Sequence, residues 1–313
     1  MSPSPATPKG PILGIDLGGS SVKRVVVTND GVLVEARVIP FDPEPVGDFL
    51  KTIAGRVNAD RKQFGEPGRI GVSAPGLAAL DGQSIASMPG RLDGLVGLDW
   101  AQFLGRTDRV PVLNDGQAAL LGEAWTGAAR GCSNALLLTL GTGVGGAAIV
   151  DGHLLRGFCG KAGHFGHLSL DPFGPSDICG TPGSLEDAIG NHNIARRSSG
   201  RFASTLDLID AVRSGDTQAA EVWNRSVQAL SAAIASLANV LDPELVILGG
   251  GIAAAGDLLF HPVQLHLERF EWRPTGRPLR LVPAQLGEYA GAWGAARNAL
   301  SNDAFTGSTP LTV

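Results

Sequence analysis

Between residues 135 and 155 the chain reads Ala135-Leu136-Leu137-Leu138-Thr139-Leu140-Gly141-Thr142-Gly143-Val144-Gly145-Gly146-Ala147-Ala148-Ile149-Val150-Asp151-Gly152-His153-Leu154-Leu155. Gly141, Gly143 and Gly146 spell GxGxxG, but a dinucleotide fingerprint must open a helix. Here the glycines lead into an apolar run, the pair Asp151-Gly152 and a second apolar run, which is strand, two-residue turn, strand. The glycine loop is therefore predicted to join antiparallel strands. Its backbone N–H groups would then cradle phosphate from a hairpin.

The start of the chain carries the same layout. Ile15-Asp16-Leu17-Gly18-Gly19-Ser20 runs on through Val25-Val26-Val27 to Asp30-Gly31, as Thr139-Leu140-Gly141-Thr142-Gly143 runs on through Ala148-Ile149-Val150 to Asp151-Gly152. Two copies of strand, small-residue turn, strand, turn predict two similar domains facing each other. Two glycine turns so opposed can grip a polyphosphate from both sides.

Outward from these turns, strands are expected at residues 12–16, 21–28, 32–38, 69–73, 110–113, 245–248 and 279–282. Helices are expected at 49–64, 117–125, 257–270 and 291–300, and at 216–241, where Trp223, Val227, Leu230, Ile234, Leu237 and Leu241 form one stripe. Residues 171–183, rich in Pro and Gly, read as an irregular loop. Trp223 and Trp293 are expected in the core and His153 on the surface.

Composition narrows the class. The 313 residues include 43% hydrophobic residues, enough for two domains with substantial cores. A net charge of −5 from 25 basic and 30 acidic residues, without long runs of either sign, argues against nucleic acid or a membrane surface as partner. An odd count of 3 cysteines (Cys132, Cys159, Cys179) argues against a disulfide framework. With no apolar signal-peptide core near the start and no spanning run, a soluble cytoplasmic protein is expected.

Three constellations carry chemistry. Asp16, at the first turn, could hold Mg²⁺ through water, since that ion prefers oxygen ligands and keeps much of its hydration. A turn Asp that caps its own backbone is the plainer alternative. Asn114-Asp115, at the carboxyl end of a strand, is the candidate catalytic pair, with Asp115 as a base for an attacking hydroxyl. Its alternative is a helix cap for the segment beginning near Gln117. Gly249-Gly250-Gly251 could admit a purine close to the backbone or serve packing alone. A P-loop is excluded, because Gly160-Lys161-Ala162 lacks the following Ser/Thr.

These motifs, together with Ala74-Pro75-Gly76, Leu121-Gly122-Glu123, Gly166-His167 and Gly291-Ala292-Trp293-Gly294-Ala295-Ala296, make the chain resemble sugar kinases of the ROK family (repressor, open reading frame, kinase), within the actin-like ATPase superfamily. The resemblance spans nearly the whole sequence. It implies a two-domain α/β actin-like ATPase (ribonuclease H-like) fold with an interdomain active-site cleft, residues 1–116 and 297–313 forming one domain and 117–296 the other. It implies ATP and Mg²⁺, Asp115 as general base, Asn114, His167 and Glu186 on the sugar, and a homodimer. The candidate nucleotide set is then Asp16, Gly18, Gly19, Ser20, Lys23, Gly141, Thr142, Gly143, Gly250 and Gly251. Around the sugar stand Gly76, Gly90, Asn114, Asp115, His164, His167 and Glu186.

The sequence also departs from the family. His164-Phe165-Gly166-His167 stands where Glu-x-Gly-His is usual, and Pro89-Gly90 where Pro-Asn is usual. Both changes alter polar contacts to a sugar, so an N-acetylhexosamine, ketose or cyclitol competes with glucose as substrate. His164 has a loop-bonded alternative. The zinc pattern of the family falls on His167, Asp177, Cys179 and Ser184, keeping one thiolate, so a structural zinc is not expected. A catalytically weak sugar-binding or regulatory protein is the rival reading. The family's repressors carry an N-terminal helix-turn-helix, and a first strand at Ile12 leaves no room for one.

Overall fold

The β-branched and apolar runs at the start form β1 (Ile12–Leu17), β2 (Ser21–Val27) and β3 (Leu33–Pro40), an antiparallel meander in which Leu17 faces Val22. The structure is a computed structural model and describes residues 10–42, 47–88 and 92–301. Helix α1 (Asp48–Phe64) ends at Gly65, whose φ of 83° suits a residue without Cβ. Strand β4 (Arg69–Ala74) then pairs parallel to β1 and brings Ser73 beside Asp16. After the small hairpin β5 (Leu77–Ala78) and β6 (Ile85–Ser87) and the short helix α2 (Trp100–Phe103), β7 (Val112–Asn114) pairs parallel to β4. The sheet order is β3-β2-β1-β4-β7. Helix α3 (Asp115–Thr126) leaves β7 directly, because the Asn114 side chain accepts from the N–H of Gly116 and caps it.

The second sheet repeats this plan. Strands β8 (Ala135–Leu140), β9 (Val144–Val150) and β10 (His153–Leu154) form an antiparallel meander, as the sequence predicts. Asp151 and Gly152 both take positive φ, 50° and 76°, the turn a two-residue hairpin favours. Leu140 pairs with Val144, so the turn proper is only residues 141–143, and Gly145 and Gly146 lie inside β9. Helices α4 (Leu185–Ile189), α5 (Ile194–Arg197), α6 (Thr205–Arg213) and α7 (Thr217–Leu241) follow. The α7 stripe of Trp223, Val227, Leu230 and Ile234 is buried in one core with Leu136, Leu138, Val246 and Leu248. Strand β11 (Leu245–Gly249), helix α8 (Asp257–Phe270) and strand β12 (Arg280–Pro283) complete the order β10-β9-β8-β11-β12, with β11 parallel to both β8 and β12. Asp16 and Thr139 occupy equivalent places, each next to last in the first strand of its sheet, paired with Ser73 and Gly249 respectively.

Helix α9 (Ala290–Leu300) closes the described chain. The chain divides into two compact units, Met1–Gly131 with Arg156–Ala162 and Gln285–Val313, and Cys132–Leu155 with Gly163–Ala284. This division falls at different residues from the sequence-based boundaries, since all of α3 and α9 lie in the first unit. Backbone packing is the reason. A Cβ at Gly294 would overlap the Ala118 carbonyl of α3, and Cβ atoms at Gly14 and Gly71 would overlap the Ala292 and Ala295 carbonyls of α9. Buried Glu123 adds to the joint by accepting from the N–H groups of Ala128, Gln285 and Leu286 at 2.7–2.9 Å. Among the described residues no helix is long and apolar enough to cross a membrane.

Candidate active site

In the first unit, Asp16, Ser73, Asn114 and Asp115 gather at the carboxyl ends of the parallel strands β1, β4 and β7, where open α/β sheets place ligands. Ser73 donates its hydroxyl to Asp16 Oδ1 at 2.6 Å. Burial, aided by the negative charge of Asp115, pushes the Asp16 carboxyl up to about 6, against the opposing Ser73 hydrogen bond and Lys23 charge. Lys23 is the cross-strand partner of Asp16, and its Nζ would stand 2.9 Å from a Cβ at Gly18. Gly18 closes the β1–β2 turn by donating to the Ser21 carbonyl at 2.9 Å, and the Ser20 carbonyl accepts from Phe41. Gly19 is exposed at the tip.

Asn114, not Asp115, is the cap of α3. Its Oδ1 accepts from Gly116 at 3.0 Å and its Nδ2 donates to the Gly76 carbonyl at 2.9 Å, which leaves one amide hydrogen and one lone pair for a ligand. Gly76 turns the chain after β4 with φ 96°, a conformation that excludes most side chains. Asp115 is exposed as the first residue of α3, with Oδ1 accepting from Gly116 at 2.8 Å. A carboxylate there is favoured by the helix dipole. The expected sugar contact Gly90 lies outside the described residues.

In the second unit, the 141–143 turn is clamped from outside by residues that sequence reasoning missed. Gly141 donates to the Gly143 carbonyl; Asn191 and His192 donate their backbone N–H groups to the carbonyls of Gly141 and Thr142. The His192 ring lies between the Thr142 carbonyl and Asp187, at 2.8 and 2.9 Å, and Asp187 also pairs with Arg196. Glu186 Oε2 accepts from the Val144 N–H at 2.9 Å, so this carboxylate touches the glycine turn directly. The only local signal for these roles is an acid-rich stretch before Asn191-His192-Asn193.

The glycines separate by purpose. Gly146 is required by packing, against the Phe165 ring and the Gly163 and Leu137 carbonyls, while Cβ atoms at Gly145 and Gly143 would meet the Thr139 hydroxyl and the Glu186 carboxylate. Gly250 is required by its φ of 83° and by the Leu140 backbone. Gly141 and Gly251 have open space where a Cβ would stand, and neither takes positive φ. Neither packing nor backbone angle requires glycine at these two positions.

His164 precedes the single turn Phe165–His167, where its carbonyl accepts from His167. His167 Nδ1 lies 2.8 Å from Asp177 Oδ2, and Asp177 Oδ1 accepts from the N–H groups of Cys179 and Thr181. Burial opposes ionisation of Asp177, but the bonds from His167, Thr181, Ser184 and Cys179 hold its carboxyl below the usual range.

Two metals are implied by the family resemblance, and they fare differently against these residues. For Mg²⁺, Asp16 offers an enclosed oxygen donor near a second carboxylate, where a cation would relieve like-charge repulsion, so the residues fit. For structural zinc, His167, Asp177 and Cys179 place donor atoms within 4.8 Å of one another. Ser184 at the fourth position caps α4 by accepting from Asp187. One thiolate and a hydroxyl already in use do not make a four-ligand structural site.

The chain matches the ROK family over residues 12–302. It is 31% identical to a glucokinase of Halalkalibacterium halodurans over 90% of this chain and 92% of that one. It is 30% identical to an N-acetylgalactosamine kinase of a Shewanella species over 79% and 83%. Among solved structures, a ROK family glucokinase from Streptomyces griseus in complex with glucose and AMPPNP superposes with a TM-score of 0.75 at 27% identity, covering 93% of this chain and 99% of that one. The fold is that of the actin-like ATPases, and the chain belongs to the ROK family.

Proposed function

We propose that this ATP-dependent sugar kinase of the ROK family transfers the γ-phosphoryl group of ATP to a hydroxyl of a hexose or related sugar, with Asp115 as general base. The observation that carries the reading is the placement of Asp16 and Asp115 within electrostatic reach of each other at the carboxyl ends of parallel strands. Asp115 takes the hydroxyl proton as the new O–P bond forms and the bond to the ADP oxygen breaks. Asp16, held by Ser73, would hold Mg²⁺ through water. Bound there, the ion would neutralise charge on the phosphate oxygens. Gly141 and Gly251 leave backbone open to the nucleotide, and Glu186 and the Asp187–His192 clamp keep the turn in shape.

The sugar itself is set by the departures at His164 and Gly90. Imidazole donors and acceptors differ from those of a carboxylate, so N-acetylhexosamines, ketoses and cyclitols compete with glucose as the acceptor. The reading includes a homodimer in a reducing cytoplasm, in keeping with Cys132, Cys159 and Cys179, all free.

The test is ADP release from ATP and Mg²⁺ across hexoses, N-acetylhexosamines, ketoses and cyclitols, beside the Asp115→Asn variant. Turnover on one class, lost in the variant, supports the proposal. Sugar binding without turnover on any class would replace it with a binding protein.

A further inference from the structure

Gly291 occupies the first turn of α9, where glycine is disfavoured relative to alanine by about 1 kcal/mol and no unusual backbone angle requires it. The reason for it lies on β1. Successive strand side chains alternate faces, so Gly14 and Asp16 point the same way, toward α9. At Gly14 the neighbours are the backbone and Cβ of Ala292 and Ala296, and the helix lies on bare backbone. One step along, at Gly291, the three nearest atoms to an added Cβ are Asp16 Cγ, Oδ1 and Oδ2, at 2.6, 2.7 and 2.8 Å. The missing methyl group makes room for one carboxylate.

We propose that Gly291 is the positioning residue for Asp16: it forms the floor on which the carboxylate rests while Ser73 holds it from the side. This inference rests on the reading of Asp16 as the carrier of hydrated Mg²⁺. A Cβ needs about 3.5 Å from the carboxylate atoms, so Gly291→Ala pushes the group by up to roughly 1 Å and breaks its alignment with Ser73. Displacing a group that supports a metal site typically weakens binding about 10–100-fold. Gly294 provides the contrast, because a Cβ there meets the Ala118 backbone and must disturb the α3–α9 joint instead.

The experiment titrates Mn²⁺ by electron paramagnetic resonance into protein saturated with a non-hydrolysable ATP analogue, for the parent, Gly291→Ala and Asp16→Asn. Gly291→Ala is expected to weaken Mn²⁺ binding about 10–100-fold. The half-saturating Mg²⁺ concentration for turnover should rise in parallel, with sugar KM unchanged. Mn²⁺ affinity within twofold of the parent in Gly291→Ala, but lost in Asp16→Asn, overturns the role of Gly291 alone. Parental affinity in Asp16→Asn overturns the metal reading of Asp16 and the proposal with it. Should Gly291→Ala fold poorly, the substitution is repeated in an Asp16→Ala background. Recovered stability there upholds the carboxylate as the group displaced, and continued instability overturns it.

Discussion

Ser73 on β4 donates its hydroxyl to the Asp16 carboxylate on β1 at 2.6 Å, although the two residues are 57 positions apart in sequence. The bond favours the ionised acid in a setting where burial disfavours it. With the Asp16 carboxyl pushed from 3.8 up to about 6, the folded chain binds an extra proton between those values. Ionising Asp16 therefore costs stability, a cost absent below the lower value and complete above the upper one. Asp16→Asn in metal-free protein should melt at a higher temperature than the parent near about pH 8, with the gain shrinking through pH 6 and gone near pH 4. A shift equal at every pH would show that the carboxyl is not perturbed. Ser73→Ala should move the acid limb of Mg²⁺-dependent turnover to higher pH.

Asp115→Asn separates chemistry from capping. Because Asn114 caps α3, the variant should melt within about 2 °C of the parent and bind nucleotide normally. Its kcat should fall about 10²–10⁴-fold, the usual contribution of a general base. Near-parental turnover on the best substrate would remove Asp115 from its role.

Adjacent glycines should behave in opposite ways. Gly250→Ala forces a side chain to φ 83° against the Leu140 backbone and should lose about 1–3 kcal/mol in urea unfolding. Gly251→Ala enters open space and should change stability by less than about 0.5 kcal/mol. If nucleotide lies there, its KM for ATP rises; an unchanged KM counts against the nucleotide assignment.

Glu123→Ala removes the shared acceptor of three backbone donors at once, those of Ala128, Gln285 and Leu286. At about 0.5–1.5 kcal/mol for each hydrogen bond lost, a loss of roughly 2–4 kcal/mol is expected from denaturant melts. Glu123→Gln keeps a carbonyl acceptor and should lose less. Equal losses in the two variants would mean that the cost comes from the cavity rather than the hydrogen bonds.

Zinc content is checked directly by metal analysis of protein purified without chelator. The donors His167, Asp177, Cys179 and Ser184 predict well below one zinc per chain and a melting temperature that EDTA leaves unchanged. One equivalent of zinc, with a chelator-sensitive melt, would contradict the hydrogen-bonded reading of this loop.

Much of the architecture was legible because its signals are local. Asp151-Gly152 announces a hairpin that the structure contains, and the α7 stripe announces a core helix that starts one residue later than expected. Asn114 shows the limit: as a cap it pulls α3 back to Asp115, two residues before the expected start. The short elements β5, β6 and α2 carry too few residues for a periodic signal. The supports of the site were invisible for another reason. Ser73, Gly291 and His192 act on residues distant in sequence, and a serine in a strand or a glycine in a helix looks the same whatever lies across from it.

The repeated sheet has a further consequence at its equivalent positions, Asp16 and Thr139. On the proposed reading, in which the 141–143 turn presents backbone to phosphate, a carboxylate at 139 would add like charge beside it. The hydroxyl that stands there faces Gly145 and adds no second carboxylate to the one Glu186 already brings to the turn. On the proposed reading, two halves of one pattern thus differ in charge, the first suited to a cation and the second to the anion that accompanies it.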